Sequence, residues 1–379
     1  MPHQEELDQW EAQVSSHLGN MNQAFIRVLT LYAFGMALTQ HCGQTLIAHF
    51  LGELLQVKPN TMRQRLRELT YESAAKRGPQ RRELVVRQCF APLLGWCLTY
   101  FDPQQRQIVL ALDATYLRER FTILAVSVVV AGCAIPVAWH IQTGDAKGQW
   151  NPIWRTLLND IRVAIPDTWM VSVLADGGLY SRALFQHIHH ELHWHPHLRI
   201  GTQGLCREAN GHWFPLAQLA TRGMEPLMRT VICFKGKPVR GTVLVEWDAQ
   251  YDKPCLVLTD LPPKQARHET YHLRFWIEAG FKDLKRGGLR WEQTKMRDPQ
   301  RVERLWLVMS VALLYLVSAG LTAEHIRLPT LYRRGQHLSG LKRGWIMRLV
   351  HLITQRPVPQ PVSFGYAPSS VPIPKDTYP

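Results

Sequence analysis

The spacing of apolar residues divides the chain into a helical first part and a strand-rich middle. Up to about residue 100, apolar residues recur at intervals of three and four along Leu7–Val14, Phe25–Leu38 and Leu46–Leu55. This periodicity predicts amphipathic helices, because it places the apolar side chains on one helical face. We therefore expect the first hundred or so residues to form a helical unit.

Two of these helices resemble a helix-turn-helix motif. The first covers Thr45–Leu55 and the second Thr61–Leu69; Pro59 closes the turn, and Asn60 or Thr61 caps the second helix. The second helix carries three arginines that could lie in a DNA groove or along its phosphates, namely Arg63, Arg65 and Arg67. Two helices joined by a turn are common, so the alternative is a helical pair without a role in DNA recognition.

From residue 107 onward the apolar residues come in short runs that polar or turn-forming residues interrupt. Such runs, rich in Val, Ile, Leu and Ala, are typical of buried strands. The pattern predicts three strands, a helix, a strand, a helix and a strand, over Gln107–Ala114, Phe121–Gly132, Cys133–Ile141, Trp150–Val163, Trp169–Ala175, Tyr180–Leu192 and Leu198–Gly201. This is the order of a ribonuclease H-like core, so the predicted fold class is α/β.

The pattern changes again after residue 202. Short strands joined by polar turns predict a β-rich insertion, and one helix is then expected over Tyr271–Lys285. The uncharged run Leu305–Leu321 is at the lower limit of what crosses a bilayer, but charged residues flank it, and we expect a buried core helix and no membrane partner. The predicted segments are a helical DNA-binding domain (1–104), the first part of the core (105–202), the insertion (203–264), the last core helices (265–325) and a C-terminal helical segment with a Pro-rich tail (326–379).

Charge narrows the class of partner. The chain has 44 Lys and Arg against 30 Asp and Glu, a formal net charge of +14, and its pI is near 9.7. Double-stranded DNA is the favoured polyanionic partner, with an anionic membrane surface or mere solubility as alternatives. The seven cysteines form no C-x-x-C motif, and the polar N-terminus does not resemble a secretion signal. We expect a cytoplasmic, nucleoid-associated protein.

Three acids are candidates for catalysis. Asp113 and Asp176 each follow a predicted buried strand, and in the predicted order these two strands are neighbours. Glu278 lies on the later helix, where Tyr271, Arg274 and Lys285 fall on or near the same face. Individually, each aspartate is more often a turn or cap residue, and the helix could be an ordinary amphipathic one with a solvated charged face. Together, the three carboxylates could hold two Mg²⁺ ions for in-line attack on a phosphodiester.

The spacing of the helix residues carries a resemblance. Tyr271, two residues, Arg274, three residues, Glu278, six residues and Lys285, preceded by two strand-end aspartates, resemble the DDE transposases of bacterial insertion sequences, in particular the insertion-sequence-four family. The resemblance implies that Asp113, Asp176 and Glu278 bind two Mg²⁺ or Mn²⁺ ions. It also implies that Tyr271, Arg274 and Lys285 contact the transposon-end DNA, and that a homodimer forms in the synaptic complex.

One feature of that family is not matched. Its members stack a flipped base on a Trp in the insertion, whereas the corresponding stretch here offers Pro254 or Cys255. Trp247 is the nearest candidate for this DNA contact, although an aromatic residue in a strand more often packs in the core.

The predicted function is a cut-and-paste DNA transposase that binds terminal inverted repeats and catalyses metal-dependent strand cleavage and strand transfer. Two alternatives remain at this point. One is a non-catalytic DNA-binding protein derived from a transposase, and the other is a ribonuclease H-like nuclease without strand transfer.

Overall fold

The structure, a computed structural model, describes residues 2–76, 81–130, 132–146, 150–325, 338–355 and 364. Most of the expected C-terminal tail, from residue 356 onward, therefore lies outside the described residues. Within them the chain is mixed α/β, with helices first and a large sheet after them. The coarse α/β class expected from the sequence is confirmed.

Helices occupy most of the first hundred residues. They are α1 (Pro2–His17), α2 (Gln23–Thr39), α3 (Gln44–Leu55), α4 (Pro59–Thr70) and α5 (Phe90–Leu98). The expected cap of α4 is wrong: the helix begins at Pro59, and Lys58 precedes it without a side-chain cap. Proline suits the first helical position because its missing N–H would have no partner there.

The next strands form the half of the sheet that carries the acids. In chain order the elements are β1 (Gln107–Leu117), β2 (Phe121–Val130), β3 (Cys133–Thr143), α6 (Trp150–Arg162), β4 (Met170–Ala175), α7 (Arg182–Gln186), a π-helix (His187–Glu191) and β5 (His195–Ile200). β2 lies between β1 and β3 and is antiparallel to both. β4 lies between β1 and β5 and is parallel to both. This half of the sheet is covered by apolar side chains; all ten residues of β2 are buried.

The strands of the inferred insertion extend this same sheet. They are β6 (Leu205–Arg207), β7 (Phe214–Pro215), β8 (Met224–Cys233), β9 (Val239–Trp247) and β10 (Cys255–Thr259). The order across the sheet is β3-β2-β1-β4-β5-β10-β9-β8-β6-β7. Antiparallel pairing of β10 with β5 makes the junction between the two halves.

The helix expected over Tyr271–Lys285 is interrupted. α8 (His268–His272) ends before Leu273 and Arg274, and α9 (Phe275–Leu284) begins after them. The amides of Arg274, Trp276 and Ile277 bond to carbonyls three residues earlier, as in a 3₁₀ turn. α9 packs closely on β3, because a Cβ atom at Gly280 would overlap the carbonyl oxygen of Ala134.

The last described helices close the core. α10 (Pro299–His325) contacts α2, β3 and α11 (Gly340–Thr354). Gly320 and Gly344 let the backbones of α10 and α11 touch, since a Cβ atom at either would overlap backbone atoms of the other helix. Within the described part of the chain, residues 299–321 form the one helical stretch long and apolar enough to span a membrane, and its most apolar 18 residues are all buried inside the protein.

Candidate active site

Asp113 and Asp176 lie side by side where the parallel pairing of β1 with β4 ends. In the parallel pair β1 and β4 the last partners are Leu112 and Ala175, and each aspartate is the next residue. The sequence predicted that Asp113 lies at the end of its strand, and this prediction is wrong, because β1 continues beyond it. β1 runs on to Leu117 because it stays paired with β2 after β4 has ended.

Backbone amides hold one oxygen of each aspartate. Oδ1 of Asp113 accepts from the Ala114 amide at 2.8 Å. Oδ1 of Asp176 accepts from the Gly177 amide at 2.8 Å and caps the 3₁₀ turn Gly177–Leu179. Both carboxylates are therefore oriented by the chain segment in which they stand, before any ligand is considered.

Arg274 lies among the three acids. Its side chain is 3% exposed; Nη1 is 3.8 Å from Oδ2 of Asp113, and Nη2 donates to Oε1 of Glu278 at 3.4 Å. Its positive charge also acts to lower the pKa of Asp176. The guanidinium sits over the ring of Phe275, 5.0 Å from its centre. Asp113, Asp176 and Glu278 thus converge on one buried cation.

The two aspartates have different pKa values for identifiable reasons. Burial raises the pKa of Asp113 to about 6; Arg274 opposes this shift, whereas the charges of Asp176 and Glu278 add to it. Burial also acts to raise the pKa of Asp176, but Arg274, the Gly177 amide and Arg199 together lower it. Of the two aspartates, Asp113 is therefore the one whose surroundings disfavour the ionised form, and a bound cation would favour that form.

Tyr271 and Lys285 flank the acids. Tyr271 is 3% exposed, packs in a small apolar cluster with Cys255 and Leu261, and burial raises its pKa. Nζ of Lys285 donates to Oγ1 of Thr115 at 2.7 Å. Thr115 lies two residues after Asp113 on β1, hence on the same face of the sheet. Burial lowers the pKa of Lys285, while the nearby charges of Glu292 and Asp113 oppose that shift.

Arg199 is a site residue that the sequence reasoning missed. Its Nη1 donates to Oδ1 of Asp176 at 3.3 Å from the neighbouring strand β5. It also lines a cleft of about 330 Å³ beside the acids, together with Glu246, Lys253 and Cys255. The available signal was an arginine between Leu198 and Ile200 in a short strand that is otherwise mostly apolar.

The other predicted DNA contacts stand on α4 and at the end of β9. Arg63 and Arg65 are exposed on α4, whereas Arg67 is half-buried and donates to the hydroxyl of Tyr71. Trp247 ends β9, packs partly against the core and donates from Nε1 to the carbonyl of Tyr251 at 2.9 Å. Its neighbour Glu246 lines the cleft beside Arg199.

The donor set fits a hard divalent cation, but its present arrangement surrounds an arginine. Carboxylate oxygens are the ligands that Mg²⁺ prefers, and all three acids already face a positive charge. Among the residues that the structure describes, no group of three His, Cys, Asp or Glu is arranged to hold a metal ion. With Arg274 in this position, the three carboxylates are therefore not arranged as a metal site.

Comparison with known proteins gives one family. Residues 105–316, more than half of the chain, match the family described as the transposase DDE domain. Among solved structures, a similar chain is that of the "Cryo-EM structure of piggyBac transposase synaptic complex with hairpin DNA", 14% identical, with a TM-score of 0.38. That match covers 88% of this chain and 72% of the other. No curated protein sequence matches.

Proposed function

The chain belongs to the transposase DDE domain family, and from this premise we propose that it is a cut-and-paste DNA transposase. It would bind the terminal inverted repeats of a transposon and catalyse DNA strand cleavage and strand transfer. The observation that carries this proposal is the convergence of Asp113, Asp176 and Glu278 on the guanidinium of Arg274, all within the matched residues.

Within the DDE transposases, we propose membership of the insertion-sequence-four family. The spacing of Tyr271, Arg274, Glu278 and Lys285 supports this assignment. A ribonuclease H-like core is supported by the strand order β3-β2-β1-β4-β5, with antiparallel pairs first and parallel pairs after them. In this assignment residues 105–202 and 265–325 form the core, and 203–264 the insertion.

Asp113, Asp176 and Glu278 would hold two Mg²⁺ or Mn²⁺ ions. Bound there, the ions would lower the pKa of an attacking water or 3′-hydroxyl and stabilise the departing oxygen. The chain's own part is to position these groups. The amides of Ala114 and Gly177 orient the two aspartates, and Arg199 holds Asp176 from the side of the cleft.

The cationic groups around the acids would bind the DNA end. Arg274 and Lys285 can each pair with a phosphate, and Arg274 can do so with two parallel hydrogen bonds. The hydroxyl of Tyr271 is a third donor. These donors would therefore bind a scissile phosphate that lies between them and the carboxylates.

The helical region would recognise the inverted repeats. Arg63 and Arg65 on α4 are exposed and suit phosphate or groove contacts, whereas Arg67 would first have to leave Tyr71. Trp247 stays a proposed DNA contact of the insertion. A homodimer on two transposon ends, associated with the nucleoid in the cytoplasm, completes this proposal.

Cleavage of a duplex carrying the element's end tests the proposal. The native chain should nick the end with Mg²⁺ or Mn²⁺ and not with EDTA, and Glu278→Gln should bind the same duplex but reduce nicking by at least about a hundredfold. Glu269→Gln is the matched control, since Glu269 is an exposed acid of the preceding helix α8. DNA binding without cleavage by the native chain under either metal would favour the non-catalytic alternative. Cleavage without joining to a target would favour the nuclease.

A further inference from the structure

Arg274 already supplies the positive charge that the three acids require. Its side chain is 3% exposed. The negative charges of Asp113, Asp176 and Glu278 all act to raise its pKa. A buried guanidinium is costly without counter-charges, and so are buried carboxylates without a cation. The acids and Arg274 therefore stabilise one another in the protein without DNA.

We propose that Arg274 is an internal cation that keeps the DNA-free active site closed to divalent metal ions, and that a phosphate of the bound DNA end releases it. This inference rests on the proposed function, because it takes the three acids to be the metal ligands. It adds a second role to an arginine that the resemblance assigns only to DNA.

A metal ion and Arg274 would compete for the same carboxylate oxygens. Oδ2 of Asp113 and Oε1 of Glu278 face the two Nη atoms of the guanidinium. A divalent ion bound to these oxygens would sit within a few ångströms of a like charge in a poorly solvated place. Arg274 must therefore move, or gain an anion, before the metal can bind well.

Two buried donors beside the acids are suited to such an anion. Nε of Arg274 and the hydroxyl of Tyr271 have no hydrogen-bond partner in the part of the chain that the structure describes. A buried donor without a partner is destabilising, so both groups would gain from an acceptor. A phosphate has three or more acceptor oxygens, and the planar guanidinium can bind two of them at once.

The backbone at Arg274 is suited to this movement. Arg274 stands in the interruption between α8 and α9, where the amides of Arg274, Trp276 and Ile277 make 3₁₀-type bonds. A 3₁₀ stretch between α-helical segments often marks a hinge, because its hydrogen bonds are weaker. Glu278, one turn further on and 41% exposed, can stay in place while the arginine turns.

A DNA phosphate that draws Arg274 away would free the three carboxylates for the metal. DNA would then raise the affinity for the metal, and the metal would raise the affinity for DNA by the same factor. The measurement is the affinity of the full chain for Mn²⁺ without DNA, and electron paramagnetic resonance detects the free ion. We expect weak binding to the native chain and binding at least about tenfold tighter to Arg274→Gln. The transposon-end duplex should tighten Mn²⁺ binding to the native chain at least tenfold, and to Arg274→Gln by much less.

Arg87→Gln is the matched control. Arg87 also pairs with a carboxylate, that of Asp160, but neither residue belongs to the site. We expect its removal to change Mn²⁺ affinity less than about threefold. An equal gain in both variants would mean that general charge, and not the position of Arg274, limits metal binding.

Native chain that binds Mn²⁺ without DNA as tightly as with DNA would overturn the proposal, and this result needs no variant. So would folded Arg274→Gln, checked by circular dichroism, with unchanged Mn²⁺ affinity. If that occurs while the cleavage assay succeeds, the gating role alone fails. If neither the native chain, with or without DNA, nor folded Arg274→Gln binds Mn²⁺, the acids are not metal ligands and the proposed function fails as well.

Discussion

At the scale of single residues, Asp113 shows how the fold changes the pKa of a candidate catalytic carboxylate. Its pKa of about 6 lies above the ordinary aspartate value, because burial and the charges of Asp176 and Glu278 outweigh Arg274. An aspartate whose pKa is raised by folding adds stability below the pKa of the unfolded chain. That stability is lost as the pH rises through about 6.

This gives a pH-dependent prediction for the metal-free protein. In EDTA, Asp113→Asn should become more stable relative to the native chain between pH 4 and pH 7, by about 2–3 kcal/mol. Urea unfolding at a series of pH values measures the difference. Asp8→Asn, at an exposed carboxylate on α1, is the control. A constant difference between Asp113→Asn and native across this range would contradict the assigned pKa.

The sequence identified the candidate acids and predicted that they lie together, but it did not show which cations lie among them. A polar residue directly after an apolar run is visible in the chain, so Asp113 and Asp176 could be named. Arg199 could not, because its pairing with Asp176 depends on which strand lies beside β4. The central position of Arg274 was equally hidden, since helical spacing places it on a face with Glu278 but does not show that the helix is interrupted.

At the scale of elements, the position of Glu278 depends on how closely α9 lies against β3. Gly280 makes this approach possible, because any Cβ atom there would overlap the carbonyl oxygen of Ala134. The sequence predicted a helix here and a strand over Cys133–Ile141, but contact between their backbones is a tertiary property. The extension of β1 past Asp113 has the same origin, since it depends on pairing with β2.

A pair of glycine substitutions tests the contact between α9 and β3. Gly280→Ala should lower the free energy of unfolding by about 1–3 kcal/mol, because the helix must shift, and should reduce cleavage by displacing Glu278. Gly95→Ala, in α5 with nothing within 4 Å of the new Cβ, should instead raise stability by about 0.5–1 kcal/mol. Urea unfolding and the cleavage assay measure both. Equal effects of the two substitutions would show that helix propensity alone matters at Gly280.

At the scale of the whole molecule, strands on both sides of the acids belong to one sheet. The sequence predicted that the 203–264 region is rich in strands, but not that β10 pairs with β5. Strand periodicity tells which residues are buried and not which strand is the neighbour, so this junction could not be derived. The net charge of +14 was readable directly, and it bears on DNA affinity as a whole.

The charge yields a prediction about salt. Each phosphate contact contributes about 0.9 to the slope of log affinity against log salt concentration. Replacing Arg63 and Arg65 together by Ala should reduce that slope by about two, as measured by fluorescence anisotropy with the transposon-end duplex. Arg155→Ala with Arg162→Ala is the control, since both of these arginines donate to Glu191. An unchanged slope in the first variant would remove α4 from the DNA interface.

The glycine contact between α10 and α11 has a consequence for incomplete chains. α11 covers one side of α10, and residues 299–321 of that helix are apolar enough to cross a bilayer. A message truncated between the two helices would leave this helix partly uncovered at the end of the product. Such a product should be held by chaperones and degraded, so premature stop codons late in the gene would abolish the protein even though every candidate catalytic residue had been translated.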